Sequence, residues 1–223
     1  MRKLVLSLLA LVLLLVLADR AAAVLVSRQA TSRLAAQGAT DPHVSVQGFP
    51  VLPDLLRRSV PAAHVTAAAL DVAGGTLRQV DAELHDVRLD GSGRVRSGTL
   101  DATALVTWAQ VEQSAGLPPG SLSAQGDRVK VQVSLPVAGA DLAVSALADV
   151  AVDGRDVVIT PDRLSVGGSG ELAASLADAV KRRATYRAPV PDLPRGIELA
   201  GVTVTGPGVR VHVTGSDVVL GAS

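Results

Sequence analysis

Alternation of apolar and polar residues runs through most of the chain from about Ala63 onward. In the stretch DRVKVQVSLPV, every second residue is apolar: Val129, Val131, Val133 and Leu135. The stretches DLAVSALADVAVDG and GVRVHVTGSDVVL repeat this pattern. A period of two sends alternate side chains to opposite faces of a strand. Each stretch is therefore predicted to be a strand with one buried and one solvated face.

Short turn sequences separate these strands. They are GG, DGSG, DGRD and GPG, which begin at Gly74, Asp90, Asp153 and Gly206. Such turns between alternating stretches indicate antiparallel hairpins rather than βαβ units. We therefore predict an α+β fold with one long, strongly twisted antiparallel sheet, packed against one or two helices. No compositional break divides residues 24–223, which are predicted to form a single domain.

Three segments are predicted to be helical. Residues 19–37 are rich in Ala, Leu, Val, Arg and Gln, contain no Pro or Gly, and are followed by Gly38 as a natural stop. Val106–Gly116 forms a short second segment. The third, Gly170–Tyr186, carries basic residues near its C-terminal end, where cations complement the helix dipole.

The N-terminus has the pattern of a targeting segment. The basic residues of MRK precede an apolar run, Leu4–Ala18, which Asp19 and Arg20 interrupt before the small residues Ala21–Ala23. The run is shorter than the roughly 20 residues that span a bilayer. Residues 1–23 are therefore predicted to be a secretory signal peptide. The alternative is an uncleaved N-terminal membrane anchor, and both place the rest of the chain outside the cytoplasm.

Composition and charge narrow the classes of function. The 223 residues are 48% hydrophobic and 19% charged, which is not the composition of a disordered chain. The formal net charge is zero, so the chain lacks the overall positive charge typical of a nucleic-acid binder, and no nucleic-acid partner is predicted. There is no cysteine, which excludes disulfides, thiolate metal sites and cysteine nucleophiles.

No catalytic constellation emerges from the residues. The four histidines have no metal-ligand spacing, and the nucleophile elbow G-x-S-x-G does not occur. Asp81 and Glu83 share a strand face, which a solvated surface explains better than a catalytic pair. The glycine turn at Gly168–Ala173 lacks the following strand and acidic residue of a dinucleotide site. We therefore predict a protein that is not an enzyme, with no cofactor and no metal.

The opening of the chain resembles the LmeA-like phospholipid-binding family of actinobacterial cell-envelope proteins. The likeness rests on ADRAAA, then a helix, then VSVQGFPVLPDLL, in which Gly48–Leu52 forms the family's Gly-Phe-Pro-x-Leu turn. LRQVDAELHDVRLD looks like the family's next strand pair, and Tyr186–Leu220 looks like its closing segment. Val51 and Pro53 make the turn less aromatic than is usual in the family.

This resemblance implies a location in the periplasm or cell envelope. It also implies a fold like that of the tubular lipid-binding proteins, half of a BPI-like fold, in which an antiparallel sheet is curled around one or two helices beside an apolar groove. It implies binding of phospholipid, with phosphatidylinositol-type lipids among the ligands, a membrane surface as partner, and a role in maintaining envelope lipoglycans. It carries no catalytic residues to transfer. The alternative is a structural or interaction protein of the envelope, and the oligomeric state stays open.

Physical chemistry is compatible with such a carrier. Each buried CH₂ contributes about 0.8 kcal/mol, so a 16-carbon chain left in water costs on the order of 13 kcal/mol. A carrier must therefore enclose most of the acyl chain. A core of Val and Ala either packs densely or leaves space along the sheet, and composition does not separate these two cases.

The candidate site follows from the turn. The residues predicted to contact acyl chains are Phe49, Pro50, Val51, Leu52, Leu55, Leu56 and Trp108. Those predicted to meet an anionic headgroup or the membrane are Arg57, Arg58, Lys181, Arg182 and Arg183. In the alternative interpretation, Phe49 is a core plug and these cations are merely solvated.

Overall fold

The computed structural model describes residues 24, 27–47, 59–72, 75–89, 94–137, 140–166, 170–171, 186–189, 193 and 195–220. These residues form two antiparallel sheets and two short helices. The predicted α+β class and antiparallel pairing are thereby confirmed. The prediction of one single sheet is wrong, because the alternating strands divide between two hydrogen-bonded ladders.

Thirteen strands are numbered in chain order. They are β1 (Ala39–Thr40), β2 (His43–Gln47), β3 (Ser59–Val72), β4 (Gly75–Leu89), β5 (Val95–Thr107), β6 (Leu122–Gln125), β7 (Arg128–Val137), β8 (Ala140–Asp153), β9 (Asp156–Val166), β10 (Gly170–Glu171), β11 (Tyr186–Pro189), β12 (Ile197–Thr205) and β13 (Gly208–Leu220). All four predicted turns lie between consecutive strands of this series, which confirms the hairpins.

The two sheets differ in how the chain enters them. Sheet A has seven strands in the order β1-β3-β4-β5-β13-β12, with β2 also paired to β3. Sheet B has six strands in the order β10-β9-β8-β7-β6, with β11 also paired to β9. Sheet B is thus built from one continuous part of the chain, which is inserted between β5 and β12 of sheet A. Both sheets are open, since among the described residues no pairing joins their outermost strands.

The two helices lie at the places that the sequence predicts. Helix α1 covers residues 27–36 and ends just before Gly38, whose φ of +92° favours glycine. Helix α2 is Trp108–Ala115; Gln110 accepts the backbone N–H of Thr107 in a capping box, and Gly116 ends the helix in the left-handed conformation. Among the described residues, no helix combines the length and the apolarity that crossing a bilayer requires.

The third predicted helix is wrong at both ends. Gly170–Glu171 is the short strand β10, which pairs with Ser165 and Val166 of β9. Tyr186 begins β11, which pairs with β9 along its other part. The ladder of β9 supplies backbone partners at both places, and tertiary pairing of this kind overrides helix propensity. Residues 172–185 lie outside the described part of the chain.

Two buried clusters form the core. Cluster 1 contains Leu84, Leu100 and Val218 of sheet A. Cluster 2 joins Val204 of β12 to Leu122 and Val129 of sheet B, and both α2 and β8 pack against it. The two sheets therefore meet at β12 and α2. Cluster 1 lies on β4, β5 and β13, toward the β4–β5 turn of sheet A.

The side-chain alternation of sheet A reverses along one line near cluster 1. Gly98 lies between Asp86 and Asp217 on the neighbouring strands, and these two aspartates have φ of +52° and +49°. A strict period of two would put Val218 on the face opposite Leu84, yet both belong to cluster 1. The left-handed residues turn the strand over, so the apolar face continues past them.

Candidate functional site

The inner face of sheet A carries a continuous apolar row across six strands. Its members are successive cross-strand partners, in the order Val44, Val65, Ala82, Ala102, Val213 and Leu199. The outermost two, Val44 and Leu199, are only 7% and 6% exposed. The four central members are half-buried. The row is therefore most open in its middle, which is the reverse of a well-packed core.

A second row beside the first extends the open area along the strands. Ala104 of β5 and Val211 of β13 are partners in it, and both are half-buried. We call the half-buried central members of the two rows the apolar strip: Val65, Ala82, Ala102, Ala104, Val211 and Val213. Cluster 1 lies at one end of the strip, and β12 with cluster 2 lies at the other.

The size of the strip follows from strand geometry. Its residues lie on four neighbouring strands, β3, β4, β5 and β13, and three intervals of about 4.8 Å make it ~14 Å wide. Along β5 it extends from Ala102 to Ala104, or ~7 Å at about 3.4 Å per residue. One acyl chain occupies half of a hydrocarbon core that is about 30 Å thick, or ~15 Å. The strip therefore matches the length of such a chain across the strands rather than along them.

The opposite face of sheet A carries the buried Leu105 and two His–Asp pairs. His64 Nε2 lies 3.1 Å from Asp81 Oδ1, and His212 Nε2 lies 2.9 Å from Asp101 Oδ2. The side chains of the two aspartates are 53% and 60% exposed. These contacts are of the surface kind, which contributes little to stability. In the described ranges, no group of three or more His, Asp or Glu side chains lies in a position to hold a metal ion.

Comparison with known proteins gives the family of the chain. A model of LmeA-like phospholipid-binding matches residues 17–214, which is most of the sequence. The chain belongs to the LmeA-like phospholipid-binding family. No curated protein and no solved structure matches it. The resemblance seen in the turn at Gly48–Leu52 and in the closing strands is thereby confirmed at the level of the family.

Trp108 is the one predicted site residue that lies among the described residues of this LmeA-like chain. It opens α2, is half-buried and packs against cluster 2, where β12 meets sheet B. Its Nε1–H donates to the carbonyl oxygen of Gly206 at 2.9 Å. The indole therefore joins α2 to the β12–β13 turn, at the far end of the strip from cluster 1. Its contact with an acyl chain stays a prediction.

The other predicted site residues lie outside the described part of the chain. They are Phe49, Pro50, Val51, Leu52, Leu55, Leu56, Arg57, Arg58, Lys181, Arg182 and Arg183. The ends of the turn that carries the first eight are described: β2 ends at Gln47 and β3 begins at Ser59, both on sheet A. The chain leaves sheet A at Gln47, which pairs with Ala62, and rejoins it at Ser59, which pairs with Arg88.

Pattern analysis missed two features of the site. The central alanines of the strip, Ala82 and Ala102, become visible only once the pairing of β4 with β5 is known. Glu112 is 4% exposed, and its carboxylate accepts the backbone N–H of Leu122 at 2.7 Å and that of Gly120 at 3.1 Å. In the sequence, Glu112 resembles an ordinary surface residue of a short helix. Glu112 lies four residues after Trp108 in the same helix, so the two share a helix face. This spacing is the signal in the sequence that Glu112 is on the packed side of α2.

Proposed function

We propose that this protein is a non-catalytic phospholipid-binding protein of the cell envelope, which holds an acyl chain on the apolar strip of sheet A. Membership in the LmeA-like phospholipid-binding family supports the ligand class. The observation that carries the site is the half-buried middle of the six-strand row, from Val65 to Val213, between the buried Val44 and Leu199.

The free energy of lipid burial favours this use of the strip. Each CH₂ removed from water contributes about 0.8 kcal/mol, whereas apolar side chains left half-exposed forfeit both burial and dispersion contacts. An acyl chain on the strip recovers both contributions. One flat face covers only one side of the chain, so a second element has to cover the other side.

The second element in this proposal is the turn between β2 and β3. Phe49 and Leu52 cover the acyl chain, and Arg57 and Arg58 meet an anionic headgroup, of which phosphatidylinositol is one type. The attachment of both ends of the turn to sheet A, the sheet that carries the apolar strip, supports this assignment. Lys181, Arg182 and Arg183 contact the membrane surface.

The remaining parts of the proposal concern the whole chain. Residues 24–223 form one lipid-binding-like domain with the tubular lipid-binding architecture, half of a BPI-like fold, which delivers or senses envelope lipids. Residues 1–23 direct the chain across the cytoplasmic membrane as a signal peptide or hold it there as an anchor.

Native mass spectrometry with lipid extraction tests the function. Residues 24–223, secreted from an actinobacterial host, are expected to carry one phospholipid per chain. A clean apo mass with no uptake from anionic liposomes refutes lipid binding and leaves a structural or interaction role.

A pair of matched variants tests the turn. Phe49→Asp is expected to abolish lipid uptake while the protein stays folded. Val72→Asp is the control, because Val72 is a 43% exposed valine of sheet A outside the apolar strip. If Phe49→Asp unfolds the protein while Val72→Asp does not, Phe49 is a core plug rather than a lipid contact.

A further inference from the structure

All four histidines of the chain lie on one face of sheet A, opposite the apolar strip. Three neighbouring cross-strand rows form this face, and each row runs through residues that are direct partners on adjacent strands. We call the residues of these rows the histidine face. The first row is His43, Thr66, Asp81, Thr103 and His212; the second is Ser45, His64, Glu83, Asp101, Thr214 and Glu198; the third is Gln47, Ala62, His85, Thr99 and Ser216.

The histidine face is broad and open to solvent. The side chains of His64 and His212 are 31% and 41% exposed, and His43 and His85 are exposed as well. The face extends over six strands, and five intervals of about 4.8 Å make it ~24 Å wide. Three rows cover four residues of a strand, or ~14 Å. A surface of this size can contact another surface directly.

Carboxylates surround the histidines on this face. His64 Nε2 lies 3.1 Å from both carboxylate oxygens of Asp81, and His212 Nε2 lies 2.9 Å from Asp101 Oδ2. The three rows contain no lysine and no arginine, so neutral histidines leave this face with four negative charges. The carboxylates that carry them are Asp81, Glu83, Asp101 and Glu198.

The arginines of sheet A lie outside these rows, toward the ends of the described strands. The charged residues there are Asp71, Arg78, Asp86, Arg88, Arg96, Arg210 and Asp217. The strands of sheet A therefore carry seven carboxylates against four arginines, a net charge of −3, and four protonated histidines change it to +1. Histidine is the side chain that ordinarily changes charge between pH 5 and 8. Acidification therefore reverses the sign of the charge on sheet A, and the added charges all lie on the histidine face.

We infer that the histidine face is a contact surface for an anionic phospholipid membrane, which it repels at neutral pH and contacts once the histidines are protonated. This rests on the proposed function, which makes a phospholipid membrane the partner of the chain. Charge complementarity selects an anionic membrane, because its surface attracts cations that come close to it. This attraction decays over a Debye length of about 8–10 Å, so the charges that decide binding are those on the contacting face.

Vesicle binding at two pH values tests this contact. The secreted chain, with its N-terminus processed natively, is sedimented with vesicles of phosphatidylcholine, with and without phosphatidylglycerol, at pH ~7.5 and ~5.5. One cation near an anionic membrane surface changes affinity by about fivefold, so we expect binding to the anionic vesicles to be more than ~10-fold tighter at the lower pH. Added salt should weaken it. Equal binding to the anionic vesicles at both pH values overturns the inference.

Glutamine variants assign the effect to the histidines. In the described part of the chain, the side chains of His43 and His85 have no hydrogen-bond or ion-pair partner, so His43→Gln and His85→Gln remove a titrating charge without removing a contact. Each is expected to weaken binding at the lower pH by up to about fivefold, with the melting temperature unchanged. Replacement of all four histidines should abolish the pH dependence. If His43→Gln and His85→Gln both bind like the parent, the inference is wrong.

The matched control is Gln132→His, which adds a titrating charge at an exposed position of β7 in sheet B. It raises the total charge at low pH as much as one native histidine does, but on the other sheet. We expect it to leave vesicle affinity unchanged at both pH values. If Gln132→His tightens binding as much as a native histidine does, overall charge rather than the histidine face controls binding.

Lipid retention separates this inference from the proposed function. Native mass spectrometry at neutral pH measures the phospholipid carried by the parent and by the glutamine variants, which should retain equal amounts. If the parent retains lipid but its vesicle binding does not depend on pH, the function stands and the inference is wrong. If the parent retains no lipid and binds no vesicles at either pH, both fail.

Discussion

Replacing Glu112 with alanine tests the joint between α2 and β6. Its carboxylate accepts the N–H of Leu122 at 2.7 Å and the N–H of Gly120 at 3.1 Å, and the residue is 4% exposed. In the alanine variant both donors lose their partner. Gly120 is exposed, so water reaches its N–H, whereas Leu122 is buried and its N–H stays unsatisfied.

The expected loss of stability follows from these contacts. A hydrogen bond to a charged group contributes a net ~1.5–3 kcal/mol, and the exposed second bond adds ~0.5–1 kcal/mol. Alanine gains a few tenths of a kcal/mol in helix propensity and removes the cost of burying a carboxylate, but the net values for hydrogen bonds already contain that desolvation. We expect the free energy of unfolding to fall by ~2–4 kcal/mol, a large share of the ~5–15 kcal/mol typical of a domain.

Urea denaturation followed by circular dichroism measures this loss. With an m-value of ~2 kcal/mol/M, the midpoint should fall by ~1–2 M, and the melting temperature by about 10 °C. Gln113→Ala is the matched control, since Gln113 is exposed on the same helix and should change stability by less than ~0.5 kcal/mol. Equal midpoints for Glu112→Ala and Gln113→Ala would refute the idea that this carboxylate holds the two amides.

Two further substitutions test the close contacts of sheet A. Gly208→Ala places a methyl group against the backbone carbonyl oxygen of Val106, which cannot move aside. We therefore expect the free energy of unfolding in urea to fall by more than ~2 kcal/mol. Gly201→Ala is the control and should be nearly neutral, because no atom lies within 4 Å of the added methyl group. Ser97→Ala removes the hydroxyl of a residue that is 1% exposed, and this hydroxyl donates to the carbonyl oxygens of His85 and Thr99. We expect the free energy of unfolding, measured by thermal melting, to fall by ~1–2 kcal/mol. A loss as small as that of Ser123→Ala, at an exposed serine, would show that the hydroxyl is dispensable.

Local patterns predict the hairpins well, because each depends on a few adjacent residues. The turn at Gly206 and the alternation around Val211 together define the β12–β13 hairpin, and the structure confirms both. The resemblance carried by the turn at Gly48–Leu52 identified the family. These features share one property: the interacting residues are close in sequence or form a compact motif.

Features that depend on distant partners could not be predicted. Alternation shows which face of a strand is apolar but not which strand lies beside it, so it does not distinguish two sheets from one. The left-handed Asp86 and Asp217 have no sequence mark beyond the tolerance of aspartate for that conformation. For the same reason, nothing in the sequence marks Ala82 and Ala102 as the centre of the site, because only the pairing of β4 with β5 brings them together.

The insertion of sheet B between β5 and β12 makes sheet A dependent on the last strand of the chain. Strand β5 ends at Thr107, and its partner β13 begins at Gly208, about 100 residues later. Until β13 is available, β5 presents unpaired backbone groups and the apolar Leu100 and Leu105, while sheet B already has all its strands. A chain truncated before β13 would keep this edge of β5 permanently open to association with other chains.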